Sequence, residues 1–133
     1  MKNLDQLRAG NALKFWASDP VRQLSPAEAG AAVEQLAHQV LRSGLLAAMA
    51  LGRYKGRGWE MLVREIGQFL SPGRMAVLPV ATVSAEAFLN VLTHEKSDSL
   101  LLQRATAEAL EYLVYLRRLA PRVKDAAGPA THQ

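Results

Sequence analysis

Cysteine is absent, which excludes disulfides, thiolate zinc sites and cysteine nucleophiles together. Aromatic residues make up only 6% of the 133 residues, and β-branched residues are sparse outside one segment, so nothing favours a sheet. No apolar run approaches the roughly 18 residues that span a membrane. The first residues, MKNLDQLRAGN, are polar and give no signal-peptide core. A soluble cytoplasmic protein without a membrane partner is therefore expected.

What is plentiful points to helix. Hydrophobic residues reach 50%, enough for one continuous core, and Leu, Ala, Glu, Gln and Arg, all helix formers, dominate. The expectation is an all-α fold: one compact bundle of about five to six helices over residues 1–121, with a long C-terminal helix. Residues 122–133 form a small, polar tail expected to be disordered.

That last helix organises the rest. Ser97 or Asp98 can cap it, and Arg117 and Arg118 close it where cations meet the negative end of the dipole. Leu102, Ala105, Ala109, Leu113, Leu116 and Ala120 recur at three- and four-residue steps, and Pro121 stops the helix. Tyr112, Tyr115 and Leu119 make a second stripe, so either the helix is buried on two sides or the tyrosines face a partner protein. Arg104, Glu108, Glu111 and Arg118 are spaced for intrahelical ion pairs.

Earlier in the chain, Asn3 or Asp5 begins a helix running to Ala17, with Leu7, Ala9, Ala12, Leu13 and Trp16 apolar, and Asp19-Pro20 breaks it. Arg8 and Lys14 read first as solvated charge. Ser25-Pro26-Ala27-Glu28 is a capping box opening a helix with Val33, Leu36, Ala37, Val40 and Leu41 as its stripe and Gly44 as its end. Leu45 to Leu51 reads as a short buried helix. Trp59, Leu62, Val63, Ile66 and Leu70 mark another, ended by Ser71-Pro72-Gly73. Arg74 to Val83 carries Pro79 and has no partner strand, so it reads as an extended connection. Ser84 then caps a helix with Phe88, Leu89 and Leu92 inward.

Residues carrying chemistry are few. His38, His94 and His132 show no metal-binding spacing, and the carboxylates form no pair to hold magnesium. Serine has no nucleophile elbow. No cofactor, no small-molecule substrate and no enzymatic activity are expected. The net charge of +4 and eleven arginines against five lysines suit phosphate contacts, though a GC-rich coding sequence gives the same bias. Arg53, Lys55 and Arg57 form the densest positive stretch, among three glycines, and read either as a solvated connection or as a nucleic-acid contact.

Several stretches also resemble a known family. Leu92-Thr93, Asp98-Ser99, the run Gln103 to Leu110 and the run Tyr112 to Arg118 are similar to the C-terminal signature of the small subunit of the type III-B CRISPR (Cmr) effector complex. Leu4 to Ala9 and Ser43 to Ala48 match in the same order, with Ser43 for the usual Asn and Arg117 where Lys is common. The resemblance implies a non-catalytic subunit that stacks with copies of itself in a minor filament. It would lie beside the guide-holding backbone subunits and help hold the guide RNA–target RNA duplex. Arg8, Arg104, Arg117 and Arg118 are then the expected contacts to RNA phosphates or neighbouring subunits. A free-standing basic nucleic-acid-binding protein and a purely structural adaptor are the alternatives.

Overall fold

The computed structural model describes residues 3–51, 56–82, 84–94 and 98–121. Within them lie seven helices and no strand: α1 (Leu4–Ala17), α2 (Asp19–Arg22), α3 (Pro26–Ser43), α4 (Leu45–Leu51), α5 (Arg57–Phe69), α6 (Ala85–Thr93) and α7 (Ser99–Arg118). The all-α expectation holds. The extra helix is α2, a single turn after the break at Ser18. Pro20 in its first turn needs no N–H partner there, so the chain resumes helix at once.

Local chemistry sets the boundaries. Asn3 Oδ1 accepts from Gln6 N at 2.8 Å, and the Gln6 side chain returns the bond, a capping box at the start of α1. Ser25 and Glu28 do the same for α3. Ser84 caps α6, and Asp98 caps α7 by accepting from Leu101 N at 2.8 Å. Gly44 ends α3 at φ +89°, a conformation that a Cβ would strain.

The bundle is built around α3 and α7. Helix α3 packs on α4, α5 and α7, while α1 packs on α7 and α5 on α6. Ala105 and Ala109 on α7 are fully buried; their small side chains let neighbouring helices approach closely. Trp16 anchors α1 by donating its indole N–H to the Leu116 carbonyl at 2.9 Å. Leu36, Leu45, Met49, Leu62, Ile66 and Phe88 fill the centre. Leu13 and Leu41, expected in the core, are instead exposed, by 56% and 72%, and Leu7 and Ala9 are only half-buried outside the core cluster. Leu13 and Leu41 each fall at the edge of their stripe, and Phe15 takes the inward place on α1.

Between α5 and α6 the chain forms no strand among the described residues, in keeping with Pro79, but it turns and bends rather than running extended. Val77 and Leu78 both donate to the Leu70 carbonyl, and Leu78 is buried. Ser71 Oγ donates to Gly67 O at 2.7 Å and accepts from Thr82 N at 3.0 Å, tying both ends of the connection to α5.

Candidate nucleic-acid and subunit interface

The four arginines singled out by sequence do not form one cluster. Arg8 is an internal clamp. Its Nε and Nη2 donate to the two carboxylate oxygens of Glu108 at 2.7 and 2.8 Å, and Nη1 reaches Asp5 at 3.3 Å. Both Arg8 and Glu108 side chains are only 11% exposed, and the hydrogen bonds to Glu108 hold the guanidinium even more firmly protonated than usual. This geometry corrects two expectations: Arg8 is not a solvated charge, and Glu108 pairs across helices rather than with Arg104. Tyr115 joins the same network, donating its hydroxyl to Asp5 Oδ1 at 2.8 Å, which raises the pKa of the phenol.

Arg104 is exposed, with no ion pair among the described residues. It stands thirteen residues before Arg117, about 20 Å along the helix axis. Arg117 Nε lies 2.8 Å from Glu34 Oε1 on α3, an ion pair whose side chains are both more than half exposed. Arg117 and the exposed Arg118 line an open groove of about 600 Å³ between α3 and α7, together with Gly30, Val33, Glu34 and Ala120. These two cations are brought together; Arg8 and Arg104 lie elsewhere.

A ridge along α7 escaped the sequence reading. Leu100, Arg104, Ala107, Glu111, Val114 and Arg118 follow one another at four- and three-residue steps, and all are exposed. Leu100 is 59% exposed and Val114 40%, an alternation of apolar and charged side chains on one face. The exposed stripe could have been found as the complement of the buried one.

Tyr112 is buried on its two-sided helix. Its ring stacks on Phe69 at 3.8 Å between centroids, and its hydroxyl donates to Glu65 Oε2 at 2.6 Å. Of the two alternatives for the tyrosine stripe, burial applies to Tyr112, while Tyr115 remains half-exposed at the surface. Burial pushes the Tyr112 phenol up. Burial likewise raises the Glu65 carboxyl, although Tyr112 and Arg74, the latter at 2.9 Å, favour its charged form. Glu65 sits inside the apolar stripe of α5 between Leu62 and Ile66, a position from which its burial was readable.

Arg57 is exposed and closes the start of α5 against α3, reaching Glu28 and the Gln23 carbonyl at 3.4 Å. Arg53 and Lys55 lie outside the described residues, as do the alternative cap Ser97 and the tail 122–133. Among the described residues no group of three or more His, Cys, Asp or Glu is placed to hold a metal ion. No helix among them is long and apolar enough to cross a membrane.

Comparison with known proteins adds the decisive observation. A family model described as "CRISPR-associated protein (Cas_Cmr5)" matches residues 5–123, nearly the whole chain. No curated protein and no solved structure matches it.

Proposed function

From the premise that the chain belongs to the Cas_Cmr5 family of CRISPR-associated proteins, the small subunit of the type III-B Cmr complex, we propose a specific role within that assembly. The chain stacks with copies of itself in a minor filament beside the guide-holding backbone subunits and helps hold the guide RNA–target RNA duplex. It has no catalytic role of its own. The family match over residues 5–123 carries this reading.

Two surface features support it. The groove between α3 and α7 presents Arg117 and Arg118 to solvent, and phosphate contacts there need no base readout, because guide pairing supplies sequence specificity. The α7 ridge mixes Leu100 and Val114 with Arg104, Glu111 and Arg118, a composition suited to a neighbouring subunit. Arg8 is committed to Glu108 and supports this surface from within.

A structural adaptor without RNA contact is the second reading, favoured by the pairing of Arg117 with Glu34. A tagged pull-down from native cells, with mass spectrometry and RNA sequencing, tests the assignment. Several larger partner proteins and short RNAs sharing a repeat-derived end are expected. Recovery of the chain alone, or with heterogeneous RNA, would contradict it and favour a free-standing nucleic-acid-binding protein.

A further inference from the structure

Away from the surfaces discussed above, α1, α2 and α5 border an open groove of about 360 Å³ that none of the expected site residues lines. Lys14 of α1, Arg64 and Gln68 of α5, and Arg74 of the following connection stand around it. Three cations there face one carboxylate, Glu65. That carboxylate is already engaged, since its Oε2 accepts from both the Tyr112 hydroxyl and Arg74 Nη1. The ion pair holds the Arg74 guanidinium at the groove while its side chain stays 35% exposed, with N–H groups left for a ligand. Lys14 and Arg64 are exposed, and neither is committed to an ion pair among the described residues.

We propose that this groove binds the phosphate backbone of an RNA strand, with Lys14, Arg64 and Arg74 contacting phosphates and Gln68 adding a neutral donor. The arrangement of the cations selects the ligand class. They are spread over three elements around a solvent-open groove, which suits successive anionic groups on a polymer. A small anion or metabolite is held instead by donors converging in an enclosed pocket. Arg64 and Gln68, four residues apart on α5, sit about one helical turn from each other and face the same way. An acidic protein segment is the less suitable occupant, because protein interfaces centre on exposed apolar or aromatic anchors. None of the exposed large hydrophobic residues, Leu4, Leu13, Leu41, Val80, Leu100 and Val114, lines this groove. The preference for an anionic polymer stands on the groove itself; the choice of RNA rests on the ribonucleoprotein reading above.

The test is a Lys14→Glu/Arg64→Glu variant in the assembled complex carrying its guide, with target-RNA binding measured over a salt series. The expected result is weaker binding and a log–log salt slope smaller by roughly 1.4 to 1.8, the loss of two phosphate contacts. Subunit content and thermal unfolding should be unchanged, and Lys14→Arg/Arg64→Lys should bind as the parent does. Unaltered affinity and slope would overturn the proposal. Loss of the subunit from an otherwise intact complex would also overturn it, in favour of an acidic protein segment. Failure of the ribonucleoprotein reading looks different, because no larger subunits then co-purify. In that case binding of a fluorescent oligouridine by the purified full chain at low salt decides. Binding that the double glutamate variant loses upholds an anionic-polymer groove, and equal behaviour of parent and variant rejects it.

Discussion

At the scale of single residues, two polar contacts join positions far apart in the sequence, and both were hidden from it. Arg8 and Glu108 are one hundred residues apart, and helical periodicity places each on a face without naming its neighbour. Their two parallel hydrogen bonds in a nearly closed site predict a coupling of about 1–3 kcal/mol. A double-mutant cycle with Arg8→Met and Glu108→Gln, followed by denaturant unfolding, measures it. Coupling near zero would mean that water competes fully for the pair. The second contact, Glu65 with Tyr112, predicts a pH dependence of stability. Burial raises the folded Glu65 carboxyl above its unfolded value, so its favourable contribution is present below the ordinary carboxylate range. That contribution disappears as pH rises through the folded value. Relative to the parent, Glu65→Gln should remove this falling limb from a plot of unfolding free energy against pH. A parallel pair of curves would show that the carboxyl titrates alike in both states.

At the scale of elements, what was legible was local. Ser25-Pro26-Ala27-Glu28, and Ser97 or Asp98, read as caps because the partners of a cap lie three residues away; the first forms as expected, and of the two alternatives Asp98 caps α7. Alanine at Ser25 should cost about 1 kcal/mol. The stripes of α1, α3, α5 and α7 were legible in their centres and less so at their margins, where Leu13 of α1 and Leu41 of α3 turn outward. The Phe69–Tyr112 stack was not legible, since it is fixed by the way α5 and α7 face each other. Neither was the close approach at Gly67. A Cβ there would meet Thr82 Oγ1 at 2.8 Å and the Phe88 ring at 2.9 Å. Gly67→Ala should therefore destabilise the fold by about 1–3 kcal/mol despite its better helix propensity, as thermal unfolding would show. A stabilised variant would mean that the Ser71–Thr82 connection shifts freely.

At the scale of the whole molecule, the pieces assemble into an all-α chain of the Cas_Cmr5 family. Fold class and family were within reach of the sequence, because composition and the run of residues along α7 carry them. The distribution of charge was not. Of the four arginines expected to contact RNA phosphates or neighbouring subunits, Arg8 turns inward, Arg104 stands far along α7, and Arg117 and Arg118 meet at the α3–α7 groove. Side-chain partners on other helices decide which cations remain for a ligand.

The most direct measurement is target-RNA binding by the assembled, guide-loaded complex carrying Arg117→Glu and Arg118→Glu, titrated with salt. The exposed Arg117–Glu34 pair and the cationic end of α7 are lost, each worth at most about 1 kcal/mol, so the fold should survive, as circular dichroism would verify. Weaker binding with a salt slope reduced by roughly 1.4 to 1.8 is the predicted result. Parental affinity and slope in a fully assembled complex would contradict an RNA contact at this groove and leave the chain an adaptor.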